Sequence, residues 1–460
     1  MNEHLLLDHI RAGGRISRAE LARISGLAKN TVSLALANLE RAGLVRTSGV
    51  RTGAPGPAAL LYEVHPEAGF VLALDVGKQF LRGAIGDFSG RIRARCSIRT
   101  RARGGHARVA ELVGLAESLY ARAGVAASDI TQTVLGSPGV YDPRRDALSL
   151  TTGLAGWGTP QILAELRKAF GDSLMIENDV NAAALAERAH GHGRGVDSFA
   201  FVWIGTGIGM GLVLGGRLHR GAHGAAGEIG YLPLNGGPDP GHDDASGSDD
   251  TGTADSGSDD SDLDGSETNS SDTKGSETDG GETDGGETDG GETDGGGGAL
   301  GGVEGDGRVE VGDRGREGGL GRSAFEAAAS AAGIVRAARG AGLRGPVSAR
   351  RVFAAANRGD TVAVAVAAAE AVLVARAVCS VIAVVDPDLT VLGGGVGQAG
   401  GLVESVEREL RRLAPVVPEL RVSALGADAV VDGCLAAGIE RTWDRVTAAL
   451  PAACGADATA

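Results

Sequence analysis

Asp179 is a candidate for acid–base chemistry in this sequence. It lies in the segment Glu177-Asn178-Asp179, where a predicted strand ends and a predicted helix begins. A carboxylate at such a position can act as a general base toward a hydroxyl group. The same position also suits an N-cap residue, which stabilises a helix and has no chemical role. The local sequence is compatible with either interpretation of Asp179.

Glycine-rich turns follow three predicted strands. They are Asp75-Val76-Gly77, Gly205-Thr206-Gly207-Ile208-Gly209 and Gly393–Gly397. Glycine lets backbone N–H groups approach a phosphate closely, so these turns suit a nucleotide. Each of them alone also reads as an ordinary tight turn, because the chain contains 77 glycines.

The elements that must position these residues alternate between strands and helices over residues 67–238, which predicts α/β layers. The predicted strands are Val71–Asp75, Arg82–Asp87, Arg91–Ile98, Val134–Gly136, Leu174–Ile176, Phe199–Ile204, Met210–Leu214, Asp388–Leu392 and Arg421–Ala424. The predicted helices are Arg108–Ala123, Val403–Leu413 and Asp432–Val446.

Residues 1–66 predict a small helical unit that ends in a hairpin. Ser17 and Glu20 have the spacing of a capping box, which opens the second helix. The third helix, Lys29–Ala42, has an apolar stripe at helical spacing. Two short strands follow, at Leu44–Thr47 and Leu60–Val64. Two helices joined by a short turn and followed by two strands match the winged helix-turn-helix plan.

The third helix is the candidate DNA-recognition helix. Its polar residues can reach phosphates or base edges, because they face away from the apolar stripe. Arg51, placed in the connection between the two wing strands, can reach a phosphate or a minor groove. The alternative is a protein-docking module with a polar face, and the net charge of +3 over residues 1–66 is small. The candidate residues on the helix are Lys29, Asn30, Thr31 and Ser33.

Charge is distributed unevenly along the 460 residues, whose net charge is −15. Between Asp239 and Asp306, 22 acidic residues accompany one basic residue, Lys274, so that this segment carries −21 and the rest of the chain +6. The repeat Gly-Gly-Glu-Thr-Asp over residues 280–294 has no apolar position and predicts disorder. We expect an exposed insert that is dispensable for folding; alternatively, it competes with DNA for the basic head.

The cysteines and apolar segments predict a cytoplasmic protein. The four cysteines have the spacing of neither a disulfide framework nor a metal site. The N-terminus lacks the apolar core of a signal peptide. The longest apolar stretch, Val362–Val385, is interrupted by Glu370 and Arg376, so no membrane span is expected.

Taken together, the motifs resemble the ROK family of bacterial sugar-responsive repressors and sugar kinases. The resemblance runs from residue 1 to about residue 450, apart from the acidic insert. It is carried by the winged head, Gly53-Ala54-Pro55-Gly56-Pro57, Leu74-Asp75-Val76-Gly77, Gly136-Ser137-Pro138-Gly139, Glu177-Asn178-Asp179-Val180-Asn181-Ala182-Ala183-Ala184, Gly205-Thr206-Gly207-Ile208-Gly209, Ala226-Gly227-Glu228-Ile229-Gly230, Asp386-Pro387 and Gly393-Gly394-Gly395.

The resemblance implies a winged helix-turn-helix head followed by two actin-like (RNase H-like) α/β lobes around a sugar-binding cleft. The head would span residues 1–66. The first lobe would span 67–180 and be joined by a C-terminal helix at about 430–450. The second lobe would span 181–430 and contain the disordered acidic insert, residues 239–306.

The resemblance also implies roles for cleft residues. Asp179 matches the catalytic base of the family kinases. The residues that would bind sugar are Asn178, Asp179, Glu228 and Glu326. The residues that would bind a nucleotide are Asp75, Gly77, Gly205, Thr206, Gly207 and Gly394.

The sequence departs from the family pattern at several of these places. In the D-x-G-x-T motif the threonine is replaced by Gln79, after Lys78. Gly153 stands where an asparagine would contact sugar, and Tyr231 stands where a histidine would bind zinc and sugar. The expected zinc cysteines are also missing near Glu317, Gly319 and Ala324. We therefore expect no zinc site.

These observations lead to three hypotheses on function. The first is a transcriptional regulator, a repressor that binds operator DNA and responds to a sugar or sugar-derived ligand in the interlobe cleft, has lost kinase activity and needs no cofactor. The second is an active sugar kinase with a DNA-binding head, which would use Mg-ATP. The third is a DNA-binding regulator that responds to no ligand. A homodimer or homotetramer is expected, without a membrane partner.

Overall fold

The computed structural model describes residues 2–51, 58–151, 153–234 and 324–449. The predicted acidic insert, residues 239–306, lies outside the described residues. So do the proline- and glycine-rich positions 52–57 of the connection between the wing strands.

The head contains three helices and a three-stranded antiparallel sheet in the order β1-β3-β2. The predicted capping box is confirmed, because Ser17 Oγ accepts from the N–H of Glu20, and Glu20 Oε2 accepts from the N–H of Ser17 at 3.0 Å. The elements are α1 (Asn2–Gly13), β1 (Ile16–Ser17), α2 (Arg18–Ser25), α3 (Lys29–Arg41), β2 (Val45–Arg51) and β3 (Ala59–Val64).

The first lobe is built on a five-stranded sheet in the order β10-β7-β4-β5-β6. Its first three strands pair antiparallel, and β4, β7 and β10 run parallel. The elements are β4 (Phe70–Val76), β5 (Phe80–Asp87), β6 (Ile92–Arg99), α4 (Gly105–Ala123), β7 (Ile130–Ser137), β8 (Val140–Asp142), β9 (Ala147–Ser149), α5 (Pro160–Phe170), β10 (Leu174–Asn178) and α6 (Asp179–His190).

The second lobe repeats this strand plan in the order β13-β12-β11-β14-β15. Again three strands pair antiparallel, and the first, fourth and fifth run parallel. The elements are β11 (Phe199–Ile204), β12 (Ile208–Leu214), β13 (Arg217–His219), α7 (Ala324–Ala329), α8 (Ala331–Gly340), α9 (Ala349–Ala356), α10 (Thr361–Val385), β14 (Leu389–Gly393), α11 (Gly394–Gly397), α12 (Leu402–Leu413), β15 (Glu419–Val422) and α13 (Ala429–Ala449).

The helices that follow the fifth strand of each sheet are exchanged between the lobes. The helix α6 follows β10 but packs on β11 and β12 of the second sheet, and α13 follows β15 but packs on β4, β5 and β7 of the first. The two helices also pack on each other. At their crossing, a Cβ atom on Gly433 would lie only 1.6 Å from the carbonyl oxygen of Ala182. Glycine is therefore required at position 433.

One helix among the described residues, α10, is long and apolar enough to cross a membrane by length and composition alone. One side of it packs against α8, α9 and α12. Glu370 lies on this buried side, and burial raises the pKa of its carboxyl to about 8. These contacts are those of a core helix in the second lobe.

Candidate functional site

A cleft of about 580 Å³ lies where loops of the two sheets meet. Its wall brings together residues predicted from sequence segments that are far apart. These residues are Asp75, Gly77, Asn178, Asp179, Thr206, Gly207, Glu228, Glu326 and Gly394. Gly205 belongs to the same β11–β12 turn, and its N–H donates to the carbonyl oxygen of Gly207 at 2.9 Å.

The N-cap of α6 is Asn178, so the N-cap interpretation of Asp179 is wrong. Asn178 Oδ1 accepts from the N–H groups of Val180 at 2.9 Å and Asn181 at 3.0 Å. The Asn178 amide also donates to Gly139 O at 3.0 Å. An amide nitrogen carries two hydrogens, so one hydrogen remains for a ligand. Asp179 is the first residue of the helix and lines the cleft.

Carboxyl groups from both lobes lie close together in the cleft. Burial, followed by the charges of Asp179 and Glu326, raises the pKa of Glu228 to about 7. Burial also raises the pKa of Asp179, while hydrogen bonds from the start of α6 and the charge of Lys78 act in the opposite direction. A carboxyl with a raised pKa can accept or donate a proton near neutral pH, as acid–base chemistry on a hydroxyl requires.

Glu326, a predicted sugar ligand, is buried beside the turn of the second lobe. A Cβ atom on Gly207 would lie 2.9 Å from Glu326 Oε1, so glycine leaves room for this carboxylate. Tyr231 lines the same part of the cleft, and burial raises the pKa of its phenol. The hydroxyl of Tyr231 can donate or accept a hydrogen bond.

On the nucleotide side of the cleft, Asp75 is paired with Arg82. The Asp75 side chain is almost fully buried, and Arg82 Nη1 donates to Asp75 Oδ2 at 3.1 Å. Burial raises the pKa of Asp75 to about 7, although Arg82 opposes this shift. Sequence reasoning missed Arg82. The two residues are directly paired across the β4–β5 hairpin, and the sequence alone does not define the register of that hairpin.

Two of the predicted phosphate-binding glycines have a packing role. A Cβ atom on Gly77 would lie 2.7 Å from the carbonyl oxygen of Phe80. Gly394 has a φ of +81°, and a Cβ atom there would lie 2.4 Å from Ile204 O. Glycine is therefore needed at both positions even without a phosphate.

Four of the five predicted DNA-binding residues lie at the start of α3. The fifth, Arg51, lies in β2. Lys29 and Asn30 are exposed, and Thr31 is half-buried. Ser33 Oγ donates to Lys29 O at 2.8 Å and accepts from Arg18 at 3.2 Å. Arg18, an exposed residue of α2, was missed, because its position beside α3 depends on the fold of the turn.

Placing Arg51 in the wing connection was wrong. The strand β2 extends to Arg51, and its guanidinium pairs with Glu20 of α2 at 2.6 Å. This ion pair lowers the pKa of Glu20, after the larger effect of the hydrogen bond from the Ser17 backbone. A phosphate would have to compete with Glu20 for Arg51.

Backbone groups add to the DNA-facing surface. Within the described part of the chain, no side chain caps α3 at Ala28. The first N–H groups of a helix lack partners within the helix and attract anions such as phosphate. The start of α3 therefore offers backbone donors beside Lys29 and Asn30.

Among the described residues, no group of three or more His, Cys, Asp or Glu side chains is arranged to hold a metal ion. Ala324, where the family pattern leads one to expect a cysteine, begins α7. Glu317 and Gly319 lie outside the described residues. The expectation of no zinc remains a prediction.

A model of the ROK family matches residues 71–255 and 289–436 of this chain. The chain belongs to the ROK family. A model of winged helix-turn-helix DNA-binding domains matches residues 2–46. These matches confirm the predicted fold class, a winged head followed by the ROK α/β lobes.

The ROK relatives include repressors. The chain is 26% identical over 235 residues to the xylose repressor of Bacillus subtilis. The aligned region covers 51% of this chain and 61% of the relative. It is 28% identical over 236 residues to a putative xylose repressor of Caldicellulosiruptor, covering 51% and 59%. The chain thus spans about three-fifths of the length of these curated relatives.

Solved ROK structures include a kinase and a regulator. The ROK hexokinase of Thermus thermophilus is 27% identical with a TM-score of 0.57, covering 82% of this chain and 99% of that one. A ROK transcriptional regulator, a homologue of the E. coli Mlc protein, has a TM-score of 0.65 and covers 98% of each chain. Its identity of 20% indicates a shared fold only.

Proposed function

We propose that this chain is a transcriptional repressor whose affinity for operator DNA changes when a sugar binds in the cleft. The observation that carries the proposal is the path of α13. This helix lines the cleft with Val430 at its start and reaches the core of the head with Trp443 near its end. The winged head and the similarity to xylose repressors support the same function.

The head end of α13 is held by aromatic packing. Trp443 is 3% exposed and stacks on Phe88 with 4.6 Å between ring centroids and 9° between planes. The guanidinium of Arg11, from α1, lies 4.6 Å from the Trp443 ring centroid. His4, also from α1, is hydrogen-bonded to the carbonyl oxygen of Thr447. A displacement of α13 would therefore displace the head.

The cleft end of α13 is held by ion pairs. Asp428, directly before the helix, lies 2.7 Å from Arg95 and 3.9 Å from Arg82. Arg82 also bonds Asp75 in the cleft. Asp432, within the helix, pairs with Arg95. A ligand that changes the surroundings of Asp75 would thus act on charges that hold the start of α13.

Regulation requires the ligand to bind two arrangements of the molecule with different affinities. The two lobes contribute opposite walls of the cleft and share the exchanged helices α6 and α13. Closure of the lobes around a sugar would shift α13 against one sheet or the other. In a homodimer or homotetramer, this shift would change the spacing of the recognition helices and hence the fit to operator half-sites.

The function is tested by DNA binding with and without sugars. Fragments upstream of the neighbouring genes are titrated by fluorescence anisotropy, with xylose as the first sugar because of the similarity to xylose repressors. We expect a sugar to change operator affinity by about tenfold or more, as typical coupling energies allow. An operator affinity that no sugar changes would favour the ligand-independent regulator.

A double variant defines the DNA-binding surface. Lys29→Ala with Asn30→Ala removes two exposed side chains at the start of α3, and we expect operator affinity to fall about tenfold or more. Lys168→Ala is the matched control, because it removes an exposed lysine from α5 of the first lobe. Equal loss in both variants would contradict the assigned surface.

The second candidate function is an ATP-dependent sugar kinase. Asp179 favours it, because a half-buried carboxyl with a raised pKa in the cleft suits a general base. Against it stand Gln79 in the phosphate motif and the engagement of Asp75 by Arg82. Sugar-dependent ADP release from Mg-ATP that disappears in Asp179→Asn would establish the kinase, whereas we expect none.

A further inference from the structure

The helix α3 of the head carries a large apolar side chain on its exposed face. Leu34 is 65% exposed, more than any other large apolar side chain among the described residues of the head. The opposite face of the same helix is buried in the core of the head. A single exposed leucine is ordinary on a protein surface, so the meaning of Leu34 depends on what surrounds it.

Leu34 belongs to one line of exposed residues that runs along α3. Positions three, four and seven residues apart face the same side of a helix that has about 3.6 residues per turn. The exposed residues at this spacing are Asn30, Leu34, Ala37 and Arg41. We call this line the α3 ridge. It points away from the buried apolar stripe of the helix, so it is the part of α3 that a partner can reach.

The charges beside the α3 ridge suit the phosphates that border a DNA groove. Arg18 reaches the flank of the ridge, where its Nη1 donates to Ser33 Oγ at 3.2 Å. Lys29 begins the helix, and Arg41 ends it. Among the described residues, none of these three cations lies within ion-pair distance of a carboxylate. The acidic residue of α3, Glu40, lies off the ridge in the last turn. Unpaired cations beside a groove-sized helix favour DNA as the partner of the ridge.

The side chain of Ser33, on the flank, is already engaged. A hydroxyl group has one hydrogen, and Ser33 Oγ donates it to Lys29 O at 2.8 Å while it accepts from Arg18. Ser33 therefore has no hydrogen to donate to a base while these contacts last. The neighbouring Leu34 is the side chain that stands outward at this level of the helix.

The apolar side chain of Leu34 limits what it can recognise in DNA. Leucine has no donor or acceptor, so it cannot bond a phosphate or the polar atoms of a base. In the major groove, the apolar group that a base presents is the 5-methyl of thymine. A leucine against the polar edge of a G·C pair would exclude water without replacing its hydrogen bonds. Leu34 would thus favour thymine and disfavour G·C at the same position.

We propose that Leu34 contacts the 5-methyl group of a thymine in the major groove of the operator and so sets the sequence preference of the head at that position. The inference rests on the proposed function, because it requires a sequence-specific complex between α3 and DNA. It adds an apolar contact to the polar contacts predicted for Lys29, Asn30 and Thr31.

The test compares thymine with deoxyuridine, which lacks only the methyl group. The full chain first selects its preferred duplexes from a random DNA library. Each thymine position of the selected site is then replaced in turn by deoxyuridine, and fluorescence anisotropy at one fixed salt concentration measures the affinity. We expect replacement at one thymine position to weaken binding about fourfold per half-site, the value of one buried methyl group.

Two substitutions of Leu34 assign the effect to this residue. Leu34→Ala removes the contact, so the thymine and deoxyuridine forms of the site should differ by less than about twofold in affinity. It should fold as stably as the original chain, because Leu34 is exposed and alanine is a good helix former. Leu34→Met keeps a large apolar side chain and should retain the difference of about fourfold. Val384→Ala, which shortens an exposed valine of α10, is the control and should also retain it.

The inference is overturned if no deoxyuridine replacement weakens binding. It is also overturned if Leu34→Ala keeps the full dependence on the methyl group, since another residue would then contact it. If Leu34→Ala leaves DNA binding unchanged but dissociates an oligomer, the α3 ridge contacts a second copy of the chain instead of DNA. A library from which the full chain enriches no sequence would contradict the proposed function itself, and the inference with it.

Discussion

The helices α6 and α13 occupy matching places in two lobes that share one strand plan, yet they do different things. Each follows the fifth strand of its own sheet and packs on the sheet of the other lobe. The helix α6 has 12 residues and brings Asp179 into the cleft, whereas α13 has 21 residues and brings Trp443 into the head. The extra length of α13 is what connects the cleft to the core of the head.

The two helices are also held differently. Along α6, the alanines at 182, 183 and 184 are fully buried and allow close packing on both sides. The cleft end of α13 depends on ion pairs, and its head end on a stacked tryptophan. Polar contacts can exchange partners at small cost, whereas an aromatic stack moves as a unit. The comparison predicts that substitutions at the cleft end of α13 lower the free energy of unfolding less than substitutions at its head end.

The largest loss of stability is expected from Trp443→Ala. Removing this buried side chain leaves a cavity between α1, Phe88 and α13, and we expect the free energy of unfolding to fall by about 4 kcal/mol. Urea unfolding followed by circular dichroism measures the loss, and a sugar that still binds should no longer change DNA affinity.

Trp443→Phe serves as the control for that change. It keeps the stack on Phe88 and removes the indole N–H, which is buried without a hydrogen-bond partner among the described residues. Its stability should remain close to that of the original chain. If the phenylalanine variant also loses the sugar response, then the stack is not what couples the head to α13.

The second-largest loss of stability is expected from a substitution at the crossing of α6 and α13. In Gly433→Ala the new methyl group would collide with the carbonyl of Ala182, so the helices must separate. We expect a loss of about 3 kcal/mol, at the upper end for overpacking. Gly114→Ala, in α4, places its new Cβ in open space outside the helix's own backbone and should gain about 0.5–1 kcal/mol. Similar unfolding free energies for the two variants would contradict the close crossing.

Sequence patterns found many of the elements, although not α5 or β13, because hydrophobic periodicity is a local property. The third helix of the head begins at Lys29 as predicted, and the strand at Phe199–Ile204 has the predicted ends. The final helix begins at Ala429, three residues before the predicted start at Asp432. The contact between Trp443 and Phe88 joins distant parts of the chain and leaves no local pattern in the sequence.

In the cleft, too, contacts between side chains from distant parts of the chain could not be predicted from the sequence. Family motifs indicated Asp75 and Asp179, and both lie in the cleft. The partner of Asp75, Arg82, depends on the register of a hairpin, and the capping of α6 by Asn178 depends on the angle at which the chain enters the helix. The packing of Lys78 on Gly153 depends on the meeting of two loops. These features follow from tertiary structure rather than from spacing.

A smaller effect on the free energy of unfolding is expected from Asp75, which Arg82 links to Asp428 at the cleft end of α13. Burial raises the pKa of Asp75 to about 7 in the folded chain, above its ordinary value of 3.8. The contribution of this group to stability is therefore fully present below about pH 4 and is lost as the pH rises through 7. Asp75→Asn should remove this decline, which is on the order of 2 kcal/mol between pH 5 and 8. Unfolding midpoints in urea over this pH range provide the measurement, and equally steep declines in both proteins would contradict the assignment.

The smallest effect is expected where α6 and α13 are joined by an ion pair at the surface. Arg188 Nη1 lies 3.2 Å from Glu440 Oε2, and the side chains are 33% and 49% exposed. Water and salt screen such a pair, so a double-mutant cycle with Arg188→Ala and Glu440→Ala should give about 0.5 kcal/mol of coupling. This value should vanish at 1 M salt. Coupling well above 1 kcal/mol would mean that the far ends of α6 and α13 are fixed to each other, and the proposed displacement of α13 would then have to carry α6 along.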